Sequence, residues 1–296
     1  MKREKKAQTP FDPKTTKFPY PEQTDHHYLV VKKNDGTVFD ENYPYIDESK
    51  KFRRSRFWIR LVLRCLVFFL VYIRLSLKIK GKENLKKYKD VLAKGAVTIS
   101  NHVHMWDYLS IMTAMRPRWM RLLVWAPNIS GEMGGMIRAV GGIPIPEHNL
   151  KASAVCFKTV IDYLNSGGLL QIYPEGSMWE FYQPIRPFKD GAAYFAIKAN
   201  KPVLPMAFSY RKPNWFKRVI LHSPANFTLN IGEPIYPDLS LPYNEASIKL
   251  TEQMHDAVCR LAGIDPKENL YPPIFKNSKR VDYYATEYGK GYKGSA

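Results

Sequence analysis

Ala96-Val97-Thr98-Ile99-Ser100-Asn101-His102-Val103-His104-Met105-Trp106-Asp107-Tyr108 opens on a short apolar, β-branched run and closes on the first residues of a helical pattern. The run predicts a strand near Ala96 to Ser100, and the pattern after it a helix from about Trp106 to Met115. Between the two, His102 is followed five residues later by Asp107. Residues five apart on a regular helix point roughly 140° away from each other, at about 3.6 residues per turn. The pair can therefore meet only if His102 lies in the turn before the helix begins. There Asp107 can accept a hydrogen bond from one imidazole nitrogen, fixing the tautomer and leaving the other nitrogen free to take a proton. His104 offers a rival frame, because it stands three residues before Asp107 and would share a helical face with it.

Working outward, the same alternation repeats. A strand is predicted near Arg121 to Trp125, then a glycine-rich segment from Gly131 to Gly142. A helix from about Leu150 to Asn165 follows, stopped by Ser166-Gly167-Gly168. Strand Leu169 to Tyr173, helix Gly191 to Ala199 and strand Val203 to Ser209 continue it. Further strands are expected at Arg218 to His222 and Phe227 to Ile231, and a helix at about Asn244 to Ala262. Such alternation predicts an α/β fold, with a mixed, largely parallel central sheet flanked by helices. Residues 81–275 are read as one such domain.

The flanks differ in character. Residues 1–49, rich in Pro, Tyr, Lys and Asp without a helical period, predict an extended or partly disordered segment, and Met1 to Lys6 is basic with no apolar run behind it, so no signal peptide is read there. Residues 276–296 predict a loose basic tail. Residues 50–80 hold the most apolar stretch, Phe57 to Leu77, flanked or punctuated by Lys51, Arg53, Arg54, Arg56, Arg60, Arg64 and Arg74. A bilayer span needs about 20 mainly apolar residues, and the uninterrupted run here is only Cys65 to Ile73. Arg56, Arg60 and Arg64 recur along one side of a helix while Trp58, Leu61, Val62, Cys65, Phe68 and Phe69 spread over the remainder. An amphipathic helix lying in a membrane interface is the expectation.

In a chain of 296 residues with 45% hydrophobic composition there is enough apolar material for a substantial core. Its formal charge of +18 calls for an anionic partner. Cations beside a lipophilic segment suit acidic lipids at the cytoplasmic face of a membrane better than a nucleic acid, for which no motif is present. Cys65, Cys156 and Cys259 are few, widely spaced and odd in number, which argues for a reducing compartment. There is no G-x-S-x-G elbow for a serine hydrolase. His102-Val103-His104 with Asp107 superficially suggests a metallohydrolase, yet no second tight cluster supplies further ligands, so no metal is expected.

The company His102 keeps is informative. Asn101-His102 to Asp107 is followed in order by Tyr173-Pro174-Glu175-Gly176-Ser177, by Pro187-Phe188-Lys189-Asp190-Gly191-Ala192-Ala193 and by Lys201-Pro202-Val203-Leu204-Pro205. These resemble the N-H-x4-D, F-P-E-G-T, F-K-x-G-A-A and V-P-V-x-P blocks of the glycerolipid acyltransferases similar to bacterial 1-acyl-glycerol-3-phosphate acyltransferase. Gly141-Gly142-Ile143-Pro144-Ile145-Pro146-Glu147 is a poorer likeness to their G-x-I-F-I-D-R block. The resemblance covers about Gly95 to Met206, more weakly up to Pro234.

That resemblance implies transfer of an acyl group from a thioester of coenzyme A or acyl carrier protein to a hydroxyl of a lysophospholipid or related glycerolipid. His102 would be the general base and Asp107 its orienting partner, with no cofactor beyond the thioester co-substrate. Acceptor binding would fall to Asn101, Gly142, Tyr173, Pro174, Glu175, Gly176 and Ser177, while Arg138, Arg186 and Lys189 nearby are either phosphate-binding cations or solvated surface charges. Where the family carries phosphate-suited arginines, this chain has Glu147 and Met178, which puts a phosphate-bearing acceptor in question. Trp179, Phe181 and Tyr182 suggest either a more apolar acceptor wall or plain core packing. The rival from another class is a lipid-binding protein of the same fold that has lost the activity.

Overall fold

The computed structural model describes residue 24 and residues 35–147, 149–220 and 225–274. The elements run α1 (Lys50–Val67), a π-helical continuation (Phe68–Arg74), β1 (Lys78–Lys80), α2 (Lys82–Lys87), α3 (Lys89–Ala93), β2 (Ala96–Ile99), α4 (Asp107–Ala114) and β3 (Met120–Trp125). Next come α5 (Ala126–Ser130), α6 (Gly134–Ala139), β4 (Gly142–Ile145), α7 (Leu150–Asn165), β5 (Leu169–Ile172), α8 (Gly191–Ala199), β6 (Val203–Arg211), α9 (Trp215–Val219), β7 (Asn226–Ile231) and α10 (Tyr243–Ala262). Residues 35–49 contain turns and bends but neither helix nor strand.

Among the described residues the strands form one seven-stranded sheet in the order β1-β7-β6-β2-β5-β3-β4. Only the β6–β7 pairing is antiparallel, so the predicted mixed, largely parallel α/β architecture is the one observed. Strand β2 is buried at every position, as a parallel strand covered on both faces must be. On one face of the sheet Leu63, Val67, Val71, Tyr108, Leu109 and Ile111 join a core with Leu122, Phe208 and Phe227. On the other, α7, α8 and α10 contribute Cys156, Val160, Leu164, Ala192, Phe195, Leu250, Met254 and Val258. The result is a helix–sheet–helix sandwich.

Register explains how distant parts of the chain reach one place. Strands β2 and β5 are adjacent and parallel, with Ile99 opposite Ile172. Their carboxyl ends therefore deliver the turn carrying His102 and the turn carrying Tyr173 and Glu175 side by side. Crevices of this kind outside the carboxyl ends of strands are where open α/β sheets take ligands.

Several expectations need correction. The helical element expected over residues 50–80 starts at Lys50 but stops at Arg74, and Lys78–Lys80 instead pairs with Thr228, Leu229 and Asn230 as an edge strand. The strand anticipated at Arg218 to His222 is not formed by its first residues, which belong to the helix Trp215–Val219, and His222 lies outside the described residues. Asn214 decides that helix, its side chain accepting from the Lys217 N–H at 3.0 Å. Strand β4 was hidden by Pro144, which reads as a strand breaker. It is tolerated because β4 lies at the sheet edge, where one side of the strand needs no ladder. The predicted tail, 276–296, and the basic start of the chain fall outside the described residues.

Asn149 caps α7 in the same manner, accepting from Ala152 N–H at 3.0 Å. Asn149→Ala is expected to lower stability by about 1 kcal/mol. Urea unfolding of both chains measures it, and an unchanged midpoint would remove the cap from the account.

Candidate active site

His102 sits in the turn between β2 and α4, the one place from which it can reach Asp107. Its Nδ1 lies 3.2 Å from Asp107 Oδ2. The same oxygen accepts the backbone N–H of Val103 at 2.7 Å and of His104 at 2.9 Å. One carboxylate oxygen thus ties the turn together and holds the ring. Asp107 is 1% exposed, whereas 24% of the His102 side chain remains accessible. Burial, only partly offset by the nearby Glu175 carboxylate, pushes the His102 imidazole below its ordinary value. A neutral ring is therefore favoured. Burial also raises the Asp107 carboxyl, against the pull of His104 and of the two backbone N–H donors. The Tyr173 ring stacks on His102 at 3.8 Å between centroids and 11° between planes.

His104 is placed differently. Its Nδ1 accepts the Trp106 N–H at 3.1 Å, its Nε2 is 3.8 Å from Glu180, and its ring packs edge-on against Phe181 and Phe227. The rival frame is consumed in packing.

Glu175 and Arg186 form a buried pair, 2.7 Å apart, with side chains 2% and 1% exposed. Glu175 Oε2 also accepts the His102 N–H at 3.1 Å, and its Oε1 the Arg186 N–H at 3.1 Å. Arg186 donates further to Ser177 Oγ at 2.7 Å, to the Ser177 carbonyl and to the Thr24 carbonyl at 3.0 Å. Its guanidinium lies 4.5 Å over the Trp179 ring. These side chains clamp the His102 turn from below. Two further bonds complete the clamp, from Trp179 N–H to the His102 carbonyl at 3.0 Å and from Phe181 N–H to the Val103 carbonyl at 2.8 Å.

A cavity of about 740 Å³ opens beside His102. Leu109, Leu122, Val124, Met136, Ile137 and Val140 give it an apolar wall. Of the residues singled out from sequence, His102, Tyr173, Gly176, Ser177 and Lys189 line it. Asn101 does not: its side-chain amide pairs with the backbone of Phe208, donating at 3.1 Å and accepting at 2.7 Å. Pro174, Glu175 and Arg186 stay behind the wall, and Gly142 is in β4 opposite Leu122. Arg138, another candidate cation, turns to Asp47 at 3.8 Å and to the rings of Tyr43 and Phe52. Trp179, Phe181 and Tyr182 are buried packing rather than cavity wall. Glu147 and Met178, which replace the expected arginines, do line the cavity.

Sequence reading missed Trp125, Asn128, Glu132, Met133 and Met136, all in the wall. Trp125 ends β3, a strand that was predicted, whereas Asn128 to Met136 come from α5, α6 and the turn joining them, read from Gly131 on only as glycine-rich. A Cβ on Gly134 would lie 1.7 Å from the Ile129 carbonyl oxygen, so the glycine there serves close packing of two short helices. Met133 and Met136, three apart, were the available sign of a helical face. Among the described residues no cluster of three or more His, Cys, Asp or Glu could hold a metal ion.

Residues 76–209 match the family model described as Acyltransferase. That stretch of the chain is similar to the Acyltransferase family. Over 122 residues it is 27% identical to human 1-acyl-sn-glycerol-3-phosphate acyltransferase beta, an alignment that takes in 40% of this chain and 42% of that protein. The chain is thus matched to about two fifths of its curated relative. It is also similar to the crystal structure of the 1-acyl-sn-glycerophosphate (LPA) acyltransferase PlsC from Thermotoga maritima, with a TM-score of 0.46 and 16% identity over 73% of this chain and 84% of that one. The matched stretch begins just before β1 and ends within β6, so it contains both the His102 turn and the Glu175 clamp.

Proposed function

We propose that this protein is an O-acyltransferase that moves a fatty acyl group from a thioester, acyl-CoA or acyl carrier protein, to a hydroxyl of a lysophospholipid or related glycerolipid. The observation that carries the reading is the imidazole of His102, held by Asp107 through Nδ1 and lining an apolar cavity large enough for an acyl chain. An alcohol is too weak an acid to attack unaided at neutral pH, so a base must take its proton as the bond forms. His102 Nε2 receives that proton while the hydroxyl oxygen bonds to the thioester carbonyl carbon. As the tetrahedral intermediate collapses, the carbon–sulfur bond breaks and the imidazolium returns its proton to the departing thiolate. Asp107 stabilises the imidazolium without itself becoming protonated. Ester and free thiol are the products, and no acyl-enzyme is required.

Release of free thiol tests the reaction class. Mixed with an acyl thioester, the chain should liberate thiol only when a lysolipid is added, in equal amount to the ester formed. Thiol release that ignores the acceptor would mean hydrolysis instead.

The work is proposed to occur on the cytoplasmic face of a membrane, with the chain attached peripherally or monotopically. No helix among the described residues is long and apolar enough to cross a bilayer. Helix α1 and its continuation bury Leu63, Val67 and Val71 against the domain and expose Phe57 (60%), Trp58, Leu61, Val62, Leu66 and Phe69 (61%). Arg56 and Arg60 lie on the protein side, Arg56 paired with Glu48 at 3.1 Å and Arg60 donating to the Ala139 carbonyl at 2.9 Å beneath Trp119. Lys50, Lys51, Arg53 and Arg54 are exposed at the amino end and Arg74 at the other. An apolar face flanked by cations fits an anionic lipid surface. Sedimentation with anionic vesicles is expected to weaken with salt yet persist, and Leu61→Glu with Leu66→Glu to abolish the salt-resistant part. Complete release of the native chain at high salt would leave only a charge-driven association.

A further inference from the structure

The charged groups around the cavity do not suit a phosphomonoester. In a chain with 45 Lys and Arg against 27 Asp and Glu, the charged lining residues among those described are two carboxylates, Glu132 and Glu147, and one cation, Lys189. All three are exposed and so stand at the mouth rather than in the apolar interior. Glu147 is fixed there, its Oε1 accepting the Trp125 indole N–H at 2.5 Å. Trp125 and Trp106 line the same cavity. The arginines nearest in sequence to the carboxylates are committed elsewhere, Arg138 to Asp47 and Arg121 to Glu48, and Arg186 is held by Glu175. Lys189 crosses directly over Gly176, where a Cβ would meet its Cε at 3.0 Å.

Building on the acyl-transfer reading above, we infer that the acceptor is a zwitterionic lysolipid, with an ammonium group seated against Glu147, Glu132 and the tryptophans and a singly charged phosphodiester facing Lys189. An indole face and a carboxylate attract an ammonium, and both are supplied on one wall. A terminal phosphate, carrying more than one negative charge, would meet those carboxylates with a single lysine to offset them. Two carboxylates and one lysine complement a headgroup that carries its positive charge outermost.

The test offers the full chain one acyl thioester and four lysolipids of equal chain length: lysophosphatidylcholine, lysophosphatidylethanolamine, lysophosphatidylglycerol and lysophosphatidic acid. Expected is a kcat/KM roughly fivefold or more higher for the two ammonium-bearing acceptors. Glu147→Arg should reverse the order and Glu147→Gln should level it. The neutral variant keeps the shape of the side chain, so the pair of variants separates charge from misfolding. Preference for lysophosphatidic acid, or equal use of all four, overturns the headgroup assignment while leaving acyl transfer in place. If none of the four is acylated, the reaction class falls, and the headgroup assignment with it.

Discussion

His102→Ala is expected to lower acyl transfer by about 10²–10⁴-fold, the usual worth of a positioned general base. The same change at His104 should leave most of the rate. Both imidazoles stand within five residues of Asp107, but only His102 combines a carboxylate on Nδ1 with a place in the cavity wall. His104 already spends Nδ1 on the Trp106 N–H and its faces on Phe181 and Phe227. Asp107→Asn should separate orientation from architecture. An amide oxygen can still accept the Val103 and His104 N–H groups, so the turn survives, while the charge that stabilises the imidazolium is gone. A folded but strongly impaired Asp107→Asn is therefore expected in steady-state rates. If His104→Ala proved the inactive variant, the base would have to move to the other frame.

Glu175→Ala carries the largest expected cost in stability, about 3–5 kcal/mol, because it leaves the Arg186 guanidinium buried without its carboxylate. Arg186 is 1% exposed and cannot reach water without rearranging the clamp. The His102 N–H loses its acceptor in the same step. Replacing both partners with apolar groups, Glu175→Leu with Arg186→Met, should cost less than the single change, since no unpaired charge stays behind. Urea unfolding of native, single and double variants measures this. A loss below about 1 kcal/mol for Glu175→Ala would show a pair that water already reaches.

How much of this the sequence disclosed depended on where each partner lay. His102 and Asp107 were legible because one sits in the turn and the other opens the helix that follows it, where chain geometry alone restricts how they can meet. Strands β2 and β5 were legible from short β-branched or apolar runs ended by turn residues. Glu175 was found as a motif residue but assigned to the acceptor, since nothing in Tyr173-Pro174-Glu175 announces that Arg186, eleven residues on, will bury against it. Asn101 likewise saturates on the backbone of Phe208, a contact that exists only because β2 and β6 are neighbours. In α1 the period of Arg56 and Arg60 was correctly seen, yet which side faced the protein followed from Glu48, Ala139 and Trp119, residues remote or outside the helical pattern. Local chemistry was readable, and tertiary partnership was not.

One measurement bears most directly on the proton-abstracting imidazole. Labelled acyl thioester and excess lysolipid, mixed with native chain and with His102→Ala under single-turnover conditions, are quenched in time and the label followed into lipid and protein by mass. The expected result is label appearing in acylated lysolipid with the native chain alone, at no time on the protein. Label accumulating covalently on the chain before it reaches the lipid, or equal product from His102→Ala, would contradict a base that works directly on the acceptor hydroxyl.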